Sequence, residues 1–513
     1  MKTTLTLLFT LVLGLTASMA QDGTLDSTFA DNGILAIDFN KKSDTGHGLA
    51  VQPDGKILVS MSGNITGTFD IVVVRLLEDG TIDSTFADNG VYAYGAPDFT
   101  DLNYGVTLAA DGSIFAFGGY GVSAPNTDLV IIKLDPDGQP DPTFGTDGVF
   151  LYPYGEGEEY VHAITIAPDG KVLYAGNTSV PEFSESSHLV GRLHPDGTID
   201  TSFGDQGFYE WNDVGTTNET WDIELLPDGS MLTCGKNVPA GKNRPCLYKL
   251  LPDATGIDST FGFNGFIEAP YEGSANQMLI HPNGRILLAA SDLSSQGYNI
   301  VVLAYDQDGQ EDLTFGTDGV VLVDNDITDY ASFIVVQDDG KIIVGGESGG
   351  TLFMGNKRGY FTVRMDEDGI IDPTWGGTGM VTTQTSDFFA FANDCAIQPD
   401  GRVLLTGASA TNAGNDCVVV RYNNGEISNT SDPASIALQV FPNPATDELL
   451  IDMPAGPTRV CTLWHIHGQQ VMTIALAPNQ VRHRIAIGDL PAGTYVAVVQ
   501  GPDGTGQQLV IKQ

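Results

Sequence analysis

Apolar residues come in short runs, rich in Val, Ile and Leu, each broken by Gly, Pro, Asp or Asn. DIVVVRL from Asp70, DLVIIKL from Asp128 and GKVLYA from Gly170 are representative. Short runs bounded by turn residues predict strands. They recur in sets of four, read most plainly over Tyr104–Ala109, Ser113–Phe117, Asp128–Leu134 and Gly148–Tyr152. An Asp-Gly or Asn-Gly turn joins the first two strands of each set, as in QPDGKILVS, LPDGSMLTC and HPNGRILLA. Those residues tolerate positive φ, so the pattern is a strong hairpin signal. A second turn reads acidic–x–Ser/Thr–aromatic and closes on Gly four residues later. Its aromatic falls at Phe29, Phe86, Phe144, Phe203, Phe261, Phe315 and Trp375, a period of about 54–60 residues. The third strand ends in a cation at Arg75, Lys133, Arg192, Lys249, Arg364 and Arg421, with Ala304 the exception. Residues that recur in every copy are read as structural.

A four-stranded unit cannot bury both faces alone, whereas seven arranged radially can. The expected fold is all-β: a seven-bladed β-propeller over residues 22–424, built from repeats of about 57 residues. Gly33–Phe39 is a strand without a blade. Asn393–Ile397, Arg402–Leu405 and Cys417–Tyr422 are three strands lacking a fourth. The N-terminal strand is expected to complete the last blade and leave no open edge. LD-x-TFG-x-x-G, PDGKIL and VVVRL-x-x-DG together resemble the delta-60 repeat of secreted and surface bacterial proteins. That resemblance implies a propeller and brings no catalytic residues.

Both ends carry addresses. Lys2, the apolar run Leu5–Leu15 and the small residues Ser18 and Ala20 read as a signal peptide over 1–20, cut before Gln21. At the other end, the Asn-, Ser- and Asp-rich stretch 425–436 reads as a linker. A module follows over 437–513, with strands near Ala437–Val440, Glu448–Met453, Thr458–His465, Arg482–Ile487, Gly493–Gln500 and Gly506–Lys512. Alternating strands between Gly/Pro turns predict a small β-sandwich. The module resembles the type A C-terminal sorting domain of the type IX secretion system of Bacteroidetes. The matching residues are Pro442, Asn443 and Pro444, then Gly468, then Pro491, Gly493 and Tyr495, and finally Lys512. The resemblance implies the type IX machinery as partner and release or attachment at the cell surface.

Lys+Arg number 23 against Asp+Glu 65, a net charge of -42. This excess of acid argues against nucleic acid and against anionic membrane surfaces as partners. After the leader no apolar run reaches the ~18 residues of a spanning helix, and a monomer is expected. Five cysteines make no disulfide framework. Cys234 and Cys246 fall on neighbouring strands, where a disulfide and two buried thiols are both open. No metal-ligand spacing and no cofactor motif occurs. Asp135/Asp137, Asp306/Asp308 and Asp366/Asp368 offer D-x-D-G, readable as calcium ligands or as Asx turns.

In an antiparallel blade alternate turns share a side. Both repeated turns therefore lie on one face, and the loops that vary lie on the other, free to carry function. Counting back from each hairpin glycine places His47, Tyr104, His162, Trp221, Asn276, Ser332 and Asn393 at the start of the innermost strand. Tyr160, Tyr330, Phe391 and the carboxylates Glu156, Glu158 and Glu159 lie near them. Rings beside carboxylates suit sugars; the same rings can merely fill the blade tops. The candidate ligand residues are Trp221, Tyr104, Tyr160, Glu159, His47 and His162. The leading expectation is a secreted or cell-surface binding or adhesion propeller, for a glycan or a surface protein, without catalysis. The alternatives are a glycosidase or lyase using carboxylates on the variable face, and a purely structural envelope protein.

Overall fold

The computed structural model describes residues 21–513, apart from 40–41, 96–97, 124–125, 155–156, 181–184, 213–216, 294–296, 325–327, 350–357, 425–437, 458, 466–469, 489, 492, 502–503 and 513. The signal segment 1–20, the linker, Glu156 and Gly468 thus lie outside the described residues. The chain forms two compact units, Met1–Gly425 and Glu426–Gln513.

In the first unit the described residues form seven four-stranded antiparallel sheets. The first comprises Thr45–Val51, Ile57–Gly63, Asp70–Leu76 and Val91–Tyr94, in that order. We number the sheets by their leading strands, which begin at Thr45, Leu102, Glu159, Glu219, Ala275, Thr328 and Ala390. Sheet seven takes its fourth strand from the start of the chain. Ile34–Ile37 pairs antiparallel with Asn415–Tyr422, from Ile34 opposite Val420 to Ile37 opposite Cys417. Each sheet packs on the next, and the seventh packs on the first.

Seven apolar cores fill the seven junctions. Leu58, Val73 and Phe86 meet Val106, Ala116 and Ile132 between sheets one and two. Ile37, Leu404 and Val419 meet Val59 and Val74 where the ring closes. A strand buried on both faces has no polar side to show, which is why Ile71–Val74 is continuously apolar and fully buried.

The repeated turns lock the sheets at one face. Seven backbone hydrogen bonds of 2.7–2.8 Å run from the residue after each turn aromatic to the next sheet's turn. The last, from the Gly376 N–H to the Asp22 carbonyl, joins the ends of the ring. Glycine closes each turn because the backbone there is left-handed: at Gly265 φ is 96°, and a Cβ would sit 2.0 Å from Ile257.

Each turn aspartate also meets a cation: Asp83 with Arg75, Asp141 with Lys133, Asp200 with Arg192, Asp258 with Lys249, Asp372 with Arg364 and Asp26 with Arg421, at 2.8–3.5 Å. Sheet five has Ala304 at the cation's position, and Arg285, just before the second strand, supplies the charge instead, 2.6 Å from Asp312 and over the Phe315 ring. Arg285→Ala should therefore destabilise the ring by about 2 kcal/mol, less than a fully buried pair because Asp312 is partly exposed. Adding Ala304→Arg should restore most of the loss. Thermal melts of the single and double variants check this.

The second unit holds two sheets around one core of Val440, Leu449, Ile451, Leu463, Ile485, Ala497 and Val510, among others. One sheet has three strands, Gln439–Phe441, Glu448–Asp452 and Arg482–Ala486. The other has four, in the order Gln470–Leu476, Arg459–His465, Gly493–Gly501 and Gly504–Lys512. Gln470–Leu476 is a strand that the sequence reading passed over. Of the two readings left open for Cys234 and Cys246, the structure shows two buried free thiols. Cys246 stands opposite Gly235, one residue out of register with Cys234. The two thiols therefore point to opposite faces of sheet four and join different cores.

Candidate functional site

Every leading strand breaks register once, at the same place. The breaks fall between Gly46 and Gly48, Asn103 and Gly105, Val161 and Ala163, Thr220 and Asp222, Ala275 and Gln277, Ala331 and Phe333, and Ala392 and Asp394. The extra residues are His47, Tyr104, His162, Trp221, Asn276, Ser332 and Asn393. A bulge re-aims the side chain it carries. All seven line one cavity of about 610 Å³, which places the leading strands innermost around the axis.

The cavity has two unlike walls. On sheets one to four the rings of His47, Tyr104, His162 and Trp221 cluster. His162 stacks on Trp221 at 4.3 Å and 13°, and meets Tyr104 edge-on at 4.5 Å. Tyr160 adds a ring 5.5 Å from Tyr104 but lies outside the cavity lining. The Trp221 indole N–H is buried and meets no acceptor among the described residues. Burial brings His47 and His162 down to about 4, so both rings are neutral at ordinary pH.

On the other wall the bulge residues are amides and a hydroxyl. Two of them hold the next sheet: Asn276 donates to the Ala331 carbonyl at 2.6 Å and Asn393 to the Gly46 carbonyl at 2.8 Å. His162 spends Nδ1 in the same way on the Thr220 carbonyl, at 2.7 Å. Phe391 also lines the cavity, while Tyr330 pairs with Tyr298 at 4.5 Å.

Glu159, expected to offer an acceptor, is 1 % exposed and does not line the cavity. The carboxyls that do are Asp222 and Asp394, each directly after a bulge. Asp394 accepts the Leu49 N–H across the junction with sheet one at 2.8 Å. Asp222 accepts the Met278 N–H of sheet five at 2.9 Å and its neighbour Ile223 N–H at 2.8 Å. Burial raises Asp222, and burial and then the Asp222 charge raise Glu224 beside it. Burial pushes Asp394 from near 3.8 to about 7.

That shift has a defined sign. Between those two values the folded ring keeps a proton that the unfolded chain has released, so this group's contribution falls as pH rises from about 4 to about 7. Asp394→Asn keeps an acceptor for Leu49 and removes the penalty. Because Asp394 borders an open cavity, the gain should be about 1–2 kcal/mol rather than the ~4 of three full units. The variant should melt a few degrees higher than the parent at pH 8 and alike at pH 4, as melts across pH will show.

The D-x-D-G turns are Asx turns: Asp135 accepts from the N–H groups of Asp137 and Gln139, Asp306 from Asp308 and Gln310, and Asp366 from Asp368 and Ile370. In the second unit Asn443 accepts the Ile511 N–H at 2.8 Å, and the Tyr495 hydroxyl donates to the Pro491 carbonyl at 2.8 Å. Pro442 and Pro444 flank Asn443, Gly493 opens the strand that bears Tyr495, and Lys512 bridges to Ala445. These motif residues tie the first strand of the unit to its last.

A seven-junction ring of four-stranded sheets around an axial cavity is a β-propeller architecture, and the comparisons agree. Residues 52–86, 109–144, 167–203, 337–374 and 398–425 match "Domain of unknown function (DUF5122) beta-propeller". Residues 439–513 match "Secretion system C-terminal sorting domain". The chain is a β-propeller protein with a type IX C-terminal sorting domain, and hence a secreted or cell-surface protein. Similar solved structures include a catalytically inactive virginiamycin B lyase from Staphylococcus aureus with quinupristin, at 11% identity over 75% of this chain and 98% of that one, TM-score 0.43. Others are Sqt1 from Chaetomium thermophilum, 12% over 75% and 97%, TM-score 0.40, and an endo-arabinase from Bacteroides thetaiotaomicron, 14% over 52% and 96%, TM-score 0.31. Likeness at this level lends no activity to the chain. No curated protein matches it significantly.

Proposed function

We propose that the seven sheets are seven blades of a binding or adhesion module, exported through the type IX system by a Bacteroidetes-type bacterium, that holds a glycan in its axial cavity. One observation carries this reading. Turns, cations and cores repeat around the ring, yet the seven bulges aim unlike side chains into a single cavity. An aromatic wall facing amides and carboxyls offers stacking for apolar sugar faces and partners for hydroxyls. A glycan array probed with the chain lacking residues 1–20 tests it: bound glycans support the reading, and a blank array in the presence of a well-folded ring removes it.

A second reading, a polysaccharide-active enzyme, draws on Asp222 and Asp394, two carboxyls whose burial favours the proton-bearing form. Hydrolysis would need two such groups about 5–10 Å apart. Release of reducing ends from a bound polysaccharide, lost in Asp394→Asn, would establish it. Binding without turnover would leave the module reading.

The export arm has its own expected outcome. With 1–20 as signal peptide, 425–436 as linker and the last unit as a sandwich, removing residues 438–513 should leave the ring folded but held in the periplasm of a type IX-competent host. Fractionation and immunoblotting read this directly, and normal amounts outside the cell would contradict it.

A further inference from the structure

Resting on the glycan reading, the charge of the cavity can be taken a step further. We infer that the axial site selects a sugar carrying a positive charge, an amine-bearing glycan, over neutral or anionic sugars of the same shape.

The argument starts from the residue after each bulge. In six of the seven sheets the residue after the bulge also lines the cavity, Phe333 being packed in the core between sheets six and seven instead. In ring order the residues after the bulges are Gly48, Gly105, Ala163, Asp222, Gln277, Phe333 and Asp394. Three of these reach across a junction to a backbone N–H: Asp222 to Met278, Gln277 to Ile334 and Asp394 to Leu49, all at 2.7–2.9 Å. Gln277 makes the bond with a neutral amide. Four other sheets do without it. Blade packing therefore gives no reason for a carboxyl at this position, and an amide would avoid the desolvation that Asp222 and Asp394 suffer. A carboxyl kept where an amide works next door points to a ligand.

The surroundings fix the sign of that ligand. Among the described residues the cavity lining contains two carboxyls and no Lys or Arg. Its two imidazoles are neutral, with His47 and His162 both brought down to about 4 by burial. Lys236, beside His162, is taken up by Glu219 at 3.0 Å. Asp222 and Asp394 stand three sheets apart in a ring of seven, nearly across the axis, and the Asp222 charge adds to the burial that raises Asp394. A cation between them would return both to the charged form. The Tyr104 and Trp221 rings supply the π faces that favour an ammonium group. A uronic or sulfated sugar meets the opposite field. The buried Trp221 N–H awaits an acceptor, which a ring hydroxyl provides.

The test uses three tetrasaccharides with the chain lacking residues 1–20: β-1,4-linked glucosamine, its fully N-acetylated form, and galacturonic acid. Calorimetry near neutral pH should show the amine form binding at least ten-fold more tightly than the acetylated form, and no heat with the uronic acid. The Asp222→Asn/Asp394→Asn double variant keeps the acceptors for Met278 and Leu49. It should bring the amine form down to the level that the acetylated one shows with the same variant. Equal binding of the amine and acetylated forms overturns the inference. So does a preference that survives the double variant, because the acidic outer surface would then be its source. If none of the three binds while the array reports a neutral glycan, the inference fails and the glycan reading stands. A blank array removes both.

Discussion

Deleting Gly33–Phe39 will lower the melting temperature of the chain by on the order of 10 °C. Ile34–Ile37 is the only fourth strand available to sheet seven among the described residues. Without it, the Asn415–Tyr422 strand presents an unpaired edge. Ile37, Leu35 and Phe39 leave the core between sheets seven and one, and Ile34 leaves the core between sheets six and seven. At ~1.5–3 kcal/mol per buried apolar side chain, partial burial discounted, the loss is on the order of 5 kcal/mol. The preceding turn stays in the variant and keeps its own tie to sheet seven, the ion pair of Asp26 with Arg421 at 2.8 Å. A deletion variant that melts with the parent would contradict the pairing of the two chain ends.

Trp221→Ala will reduce glycan affinity by roughly 2 kcal/mol or more while moving the melting temperature little. The ring stacks on His162 at 4.3 Å, lines the cavity and belongs to none of the seven junction cores. Its removal opens the aromatic wall without emptying a packed junction. Were the ring only a plug, the variant would instead melt lower with no affinity to lose. Calorimetry with any glycan from the array, paired with a melt, separates the two. Tyr104, 6.4 Å from Trp221, also packs against the core between sheets two and three, so Tyr104→Ala should lower both affinity and melting temperature.

Much of this was legible in the chain because repetition is. The seven aromatics, the seven hairpin turns and the orphan strands at each end placed the sheets and their closure. Counting back from the turns reached all seven bulge residues. What the count could not show was the bulge itself. A regular strand turns successive side chains to opposite faces, so the residue after Trp221 or Asn393 reads as pointing away from the axis. The bulge makes Asp222 and Asp394 face inward too, and that hid the two carboxyls that matter most for the charge of the site. Glu159 differs for a related reason: it neighbours Tyr160 in sequence but is buried, and its backbone N–H donates to the Thr127 hydroxyl of sheet two. Arg285 was invisible because the compensation for Ala304 comes from the hairpin turn before another strand, and only the fold brings the two positions to one aspartate.

The joining of Asp22 and Asp26 to residues at the far end of the repeats also sets an order of events. Asp26 and Arg421 are 395 positions apart along the chain, and the bond between them cannot form until nearly all of the ring has been synthesised. Until then the first strand has no seat and sheet seven does not exist, so a chain in transit is an open arc with sticky ends. The signal for the next membrane lies just beyond the last repeat. A chain cut short before the Asn415–Tyr422 strand therefore lacks the closing strand pair and the sorting domain together.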